Sequence, residues 1–252
     1  MFQLNNFYDN KNMKCIGQMG CYQIFEHEKD LSVAPSNAVD AYFSSEMNVR
    51  RRQVLINLNG NNSAIVQAGA MQWMLGNVQM NTGVKGVGNF IGKMASAAVT
   101  KESIVKPEYF GQGLVMLEPT YKHIVCIDVS KWGTVVLDDG LFLCADSTLQ
   151  HKVVSRSNVS SAVFGGEGLF NLSLTGNGIA VLESPVPQQE LIMFQMQNDV
   201  VKIDGNMAIA WSGSLEFTVE KSTKSLIGSA VSKEGLVNVY RGTGAILMAP
   251  TA

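Results

Sequence analysis

Charge is scarce in this chain. Of its 252 residues, 16% are Asp, Glu, Lys or Arg, against about 25% in an ordinary globular protein. The formal net charge is −2, and Arg50-Arg51-Arg52 is the only basic run. A surface that neutralises many phosphates needs more cations than this, so nucleic-acid binding is not expected. Long apolar runs are missing as well. None approaches the roughly 20 residues of a membrane span, and residues 1–14, rich in asparagine, lack the apolar stretch of a secretory signal. The expected location is cytoplasmic, where Cys15, Cys21, Cys126 and Cys144 are thiols. Cys15 and Cys21 have five residues between them rather than the two of a zinc or redox pair. Cys126 and Cys144 sit in apolar runs that suit a small buried hydrophobe.

Catalytic signatures are absent too. A cupin-like metal site needs several converging nitrogen and oxygen ligands, usually two of them closely spaced histidines. Here His27, His123 and His151 are the only histidines, and no two are close in sequence. No serine lies in Gly-x-Ser-x-Gly. A phosphate loop ending at Gly92-Lys93 would need glycine at position 87 and a hydroxyl residue at 94, where Val87 and Met94 stand. Asp138-Asp139 precedes Gly140, and turn formation explains that pair without a mechanism. These absences predict a protein that is not an enzyme, with no catalytic, cofactor-binding or metal-binding residues and no cofactor.

Glycine is plentiful, 24 residues, and it recurs in phrases. Phe110-Gly111-Gln112-Gly113-Leu114, Phe164-Gly165-Gly166-Glu167-Gly168-Leu169 and Lys233-Glu234-Gly235-Leu236 each lead into an apolar run. Ile124, Ile179 and Ile246 each fall eleven residues after the last glycine of a copy. A second phrase relates the segments around Gly69, Gly140 and Gly205. Repeats of roughly 55 to 70 residues predict one supersecondary unit used three times, its copies burying apolar faces against one another. In the middle copy Phe170, Leu172 and Leu174 alternate with Asn171, Ser173 and Thr175 before Gly176-Asn177-Gly178 leads into Ile179-Ala180-Val181-Leu182. That pattern predicts a β-hairpin. Leu236 to Met248 around Gly242-Thr243-Gly244 repeats it with the glycines one residue nearer the start, a slip that a β-bulge absorbs. The first copy departs from the others where Pro119-Thr120-Tyr121-Lys122-His123 replaces the glycine pair.

The predicted fold is all-β: a single body over residues 51–252 with repeats at approximately 51–130, 131–195 and 196–252. An N-terminal extension, residues 1–50, packs on this body. In the extension Cys21 to Phe25 reads as a strand, and Pro35-Ser36-Asn37 as the start of a short helix with Ser36 or Asn37 as N-cap. A short helix or loop insertion is expected near 84–100. Gly113, Gly168, Gly176, Gly178, Gly235, Gly242 and Gly244 are the expected turn or bulge glycines, several at positive φ. Trp73 and Trp211 fall in comparable places and are expected to be buried. Arg50-Arg51-Arg52 reads as a solvated start of a strand or an ion-pair donor between subunits, with an anionic ligand site as the alternative.

Phe164 to Phe170, Ile203-Asp204-Gly205 with Ala210-Trp211, and Glu234-Gly235-Leu236 with Tyr240 to Gly244 resemble signature segments of the altered inheritance of mitochondria protein 24 family. Val66 to Met74 and Gly88 to Thr100 do so too, and the resemblance runs from about residue 50 to the C-terminus. It implies three tandem short double-stranded β-helix units, each like the tryptophan-RNA-binding attenuation protein (TRAP-like), and a homotrimer or related ring. Mitochondrial relatives are associated with inner-membrane organisation, and the bacterial branch is uncharacterised. The resemblance carries over no catalytic residue. Likeness to an RNA-binding ring is not evidence of RNA binding, because function lives in sites. Open β-units leave sheet edges that a ring of subunits would pair. The resulting expectation is a non-enzymatic ring-forming scaffold or binding protein, a homo-oligomer whose other partners are unknown. The alternative is a small-molecule or metal-binding cupin-like protein, possible as an enzyme.

Overall fold

The computed structural model describes residues 3–83, 106–155, 170–221 and 236–251. The phrase copies at 164–169 and 233–235, with Gly168 and Gly235, lie outside the described residues, as do residues 84–100 of the expected insertion. What is described is all β apart from one short helix and three 3-10 turns. The order is β1 (Met13–Met19), β2 (Tyr22–His27), α1 (Ala38–Glu46), β3 (Arg52–Val66), β4 (Met71–Asn81), β5 (Glu108–Leu117), β6 (His123–Asp128), β7 (Thr134–Leu137) and β8 (Phe142–Asp146). It continues through β9 (Gln150–Ser155), β10 (Phe170–Thr175), β11 (Ile179–Ser184), β12 (Ile192–Asp204), β13 (Ala208–Ser212), β14 (Glu216–Lys221) and β15 (Leu236–Met248).

Two antiparallel sheets hold these strands. One orders them β1-β2-β3-β8-β11-β6, with β5 on β3 and β4 on β5. The other orders them β12-β15-β13-β7-β10-β9, with β14 on β15. Three stretches of chain repeat one path: β3 to β5, β6 to β11, and β12 to β15. The first turn of each path carries a left-handed glycine, Gly69, Gly140 or Gly205, at φ 84°, 79° and 58°. A left-handed residue also marks the bend in each leading strand: Gly60, Gly133 and Asn198, at φ 91°, 69° and 49°.

The glycine pairs correct the repeat register expected from sequence. Gly111, Gly176 and Gly242 share φ values of 110°, 125° and 117°, and each is followed two residues later by a second glycine, Gly113, Gly178 or Gly244. The counterpart of Gly176-Asn177-Gly178 in the first unit is therefore Gly111-Gln112-Gly113, and the turn at 119–123 replaces nothing. Aligned this way, the one-residue slip of the third copy falls at its first turn, where Gly205 stands one residue earlier relative to the paired strands than Gly69 and Gly140. The expected hairpin is also overturned. β10 pairs with β7 and β9, whereas β11 pairs with β6 and β8, so Gly176-Asn177-Gly178 carries the chain from one sheet to the other. The same pair lies inside the continuous β5 and β15. Alternation reported the strand correctly but not its partner, because a local pattern does not distinguish a turn back from a crossover.

Three apolar clusters each centre on one repeat and take in residues of neighbouring repeats across the joints. Val54, Ile56 and Val115 lie in that of the first, Ile127, Leu137 and Leu174 in that of the second, and Met196, Tyr240 and Ile246 in that of the third. A fourth cluster joins Met13 and Phe25 of the N-terminal hairpin to Leu55 and Met116, with Leu4 and Phe7 packed against it. β2 pairs with β3 from Tyr22↔Ile56 to Glu26↔Arg52. Asn37 is the N-cap of α1, as the Pro-Ser-Asn signal predicts, but its side chain makes no capping bond. Trp211 is buried between Phe217 and Tyr240, at centroid distances of 5.6 and 5.4 Å. Trp73 is only half-buried, contrary to expectation, because β4 is an outermost strand.

Candidate functional site

Two of the three histidines lie at the arginine run, His123 beside Arg52 and His27 in a cavity wall with Arg50 and Arg51, while His151 lies beside Lys106. His27 ends β2, His123 begins β6 and His151 lies in β9. Burial lowers the pKa of His123 and of His151, with Arg52 beside the first and Lys106 beside the second adding to the effect. Among the described residues no three His, Cys, Asp or Glu side chains are grouped to hold a metal ion. The four cysteines are free thiols. Burial pushes Cys126 up to about 11 and Cys144 well above its ordinary value, which keeps both protonated and poorly nucleophilic.

Arg50-Arg51-Arg52 turns inward rather than toward solvent. Arg52 is 2% exposed. It meets Glu26 at 2.7 Å and donates to Asn48 Oδ1 at 2.8 Å. Arg50 meets the same Glu26 at 3.1 Å, and Arg51 meets Asp30 at 3.0 Å, where the Tyr121 hydroxyl also donates at 2.9 Å. The pairing of β2 with β3 sets Glu26 across from Arg52, so the arginines' acidic partners come from this chain's own N-terminal extension. Sequence spacing contained no sign of this. Above the network lies a cavity of about 420 Å³ lined by His27, Asp30, Asp40, Arg50, Arg51 and Tyr121, whose charges are mixed in sign. A wider groove of about 780 Å³ is lined by Tyr8, Asn57, Asn59, Asn77 and Gln112 and, among the described residues, has no charged residue in its wall.

A joint between repeats is made twice in the same register. The end of β3 pairs with β8 through Ala64↔Asp146, Ile65↔Ala145 and Val66↔Cys144. β7 pairs with β13 in the same register through Val135↔Ser212, Val136↔Trp211 and Leu137↔Ala210. The flanking bonds match as well. Gln67 N–H donates to Leu143 O at 2.8 Å and Asp138 N–H to Ile209 O at 3.1 Å. At the other end Ser147 N–H donates to Ser63 O at 3.1 Å and Gly213 N–H to Thr134 O at 2.8 Å. Ala64, Val66, Cys144, Val135, Leu137 and Ala210, all in these joints, are 0% exposed.

The counterparts at the two ends of the array have no such cover. Among the described residues β4 pairs only with β5, and β12 only with β15. Val200 on β12 is 48% exposed and Met74 on β4 is 47% exposed. β4 carries the same one-residue irregularity as its counterparts. It falls between Met71 and Trp73 in β4, between Ala208 and Ala210 in β13, and after Val181 where β11 meets β8. The chain therefore ends in two unmatched halves of a joint that it makes twice internally. Sequence reasoning anticipated open edges but not these residues, since the glycine register that locates them had been misaligned.

Fold and edges define the class: an all-β protein of curled antiparallel sheets built from a repeated strand path. The chain belongs to the Mitochondrial biogenesis AIM24 family, whose model matches residues 45–251. It is 28% identical over 235 residues to an uncharacterized protein of Streptococcus pyogenes serotype M6, covering 89% of this chain and 90% of that one. It also resembles the crystal structure of protein SPYM3_0169 from Streptococcus pyogenes, with a TM-score of 0.59 and 26% identity, covering 81% of this chain and 89% of the other. No helix among the described residues is long and apolar enough to cross a membrane.

Proposed function

We propose that this protein is a non-enzymatic scaffold or binding protein that works as a closed homo-oligomer, a trimer or larger ring, in the cytoplasm. In this reading the three repeats are short double-stranded β-helix units of the TRAP-like kind. The observation that supports it is the joint between repeats, complete twice within the chain and left as two complementary halves at its ends. Exposed edges bearing valine, methionine and tryptophan are association surfaces unless something pairs with them. Molar mass by size-exclusion chromatography with light scattering is the test. A trimer or larger closed multiple is the expected result, and a monomer across a wide concentration range would sink the reading.

A second reading, a small-molecule-binding β-helical protein, draws on the uncharged groove beside Asn57, Asn77 and Gln112. Its test is a shift in melting temperature with a panel of neutral ligands. No shift for any of them would remove it.

A further inference from the structure

We propose that copies of this chain join head to tail, the outer edge of β12 in one pairing antiparallel with the outer edge of β4 in the next, in the register of the two inner joints. The inference rests on the ring reading and names its contacts. Strand pairing, counted from Gly111, Gly176 and Gly242, sets the correspondence. Tyr109, Leu174 and Tyr240, each two residues before that glycine, face Ala64, Val135 and Val201. Val135, Val136 and Leu137 therefore correspond to Val201, Lys202 and Ile203, and Gly205 stands one residue earlier in its turn than Gly69 and Gly140. Cys144, Ala145 and Asp146 correspond to Trp73, Met74 and Leu75. Ala145 faces Ala180, Trp211 faces Ile246 and Met74 faces Val115, each partner standing four residues after Gly176, Gly242 or Gly111.

Transferring the inner register places Val201 opposite Leu75 of the next copy, Lys202 opposite its Met74 and Ile203 opposite its Trp73. The flanking bonds transfer too. Asp204 N–H donates to Gln72 O of the next copy, as Gln67 does to Leu143 and Asp138 to Ile209. Gly76 N–H of the next copy donates to Val200 O, as Ser147 does to Ser63 and Gly213 to Thr134. The contact is heterologous, so it builds a ring when the rotation closes. Lys202 is the departure from the inner joints, where Ile65 and Val136 stand; its aliphatic stem lies along Met74 while the ammonium stays in water.

The alternation of hydrogen-bonded and non-bonded pairs makes Val201 and Leu75 a non-bonded pair, with Cα atoms about 4.5 Å apart, within the range that a disulfide spans. The test mixes two full-length chains, both Cys15→Ser, one Leu75→Cys and the other Val201→Cys, under mild oxidation. A reducible cross-link joining the two chains is expected. Leu75→Cys mixed with Ile192→Cys, at the far end of β12, is expected to give none. Light scattering on the same samples separates the two ideas. Oligomers in which the 75–201 pair stays unlinked, or links no better than the 75–192 control, would overturn this register and leave the ring standing. Monomers would overturn both. Lys202→Pro supplies a variant of the opposite kind, since it removes an outward N–H from an edge strand that tolerates proline. Loss of oligomer with retained β-sheet circular dichroism is the expected result, and an undiminished oligomer overturns the joint.

Discussion

At the scale of single residues, backbone geometry outweighs side-chain chemistry. Gly111 lies at φ 110°, and a Cβ there would stand 2.2 Å from the carbonyl oxygen of Asn77 on the neighbouring strand. Both the left-handed conformation and the contact with rigid backbone oppose any side chain. Gly111→Val is expected to cost about 3 kcal/mol or more, read as a lower denaturant midpoint at an unchanged m-value. A variant as stable as the parent would remove Gly111 as the kink of the first repeat. Gly69, by contrast, has nothing within 4 Å of its Cβ position, so its constraint is conformational only.

At the scale of elements, the N-terminal extension both braces the body and covers a face that the joint uses. Tyr22 is fully buried, and its hydroxyl donates to Asp146 at 2.9 Å, while the same carboxylate accepts from Ile179 N–H at 2.8 Å. This ties the hairpin of β1 and β2 to the crossover at Gly176-Asn177-Gly178. Leu4 and Phe7 lie against a cluster that includes Leu55 and Met116, with Trp73 and Leu75 at its margin. In the second repeat the corresponding residues, Cys126, Val181 and Cys144, pack against Tyr22, Val54 and Ile56 of the first. Residues 3–8 therefore occupy ground that a neighbouring copy would cover. Deleting residues 1–9 is expected to tighten assembly, measured as oligomer persisting to lower concentration in light scattering. Weaker assembly would mean that the segment supports the joint instead of competing for it.

At the scale of the whole molecule, few charges and unpaired sheet edges point the same way, toward burial between copies. Acid weakens the fold by a definite route. His123 and His151 have folded-state pKa values lowered mainly by burial, so the unfolded chain binds their protons more readily. Their contribution is intact above the unfolded value of about 6.5 and declines as pH falls below it. Asp30, whose carboxylate is held below its usual range chiefly by the Tyr121 hydroxyl, loses its contribution only in more acidic solution. The melting temperature is expected to fall between pH 7.5 and 5.5, and to fall less in a His123→Gln, His151→Gln double variant. Equal slopes for the two proteins would show that these histidines do not carry the effect.

The sequence by itself determined the β class, the threefold recurrence of glycine phrases and the strand and helix of the N-terminal extension. Each is a local matter: alternation sets a strand, and a missing Cβ permits a left-handed turn. The turn at Gly69, Gly140 and Gly205 was legible for the same reason. Only the tertiary structure decided that Gly176-Asn177-Gly178 crosses between sheets, that the same pair in the first repeat is Gly111 and Gly113, and that Arg52 is buried on Glu26. It alone decided which edges are spent on joints within the chain and which, among the described residues, remain open at β4 and β12. Strand pairing and ion pairing join residues far apart in sequence, and their partners are chosen by the packing of whole layers, which no local pattern records.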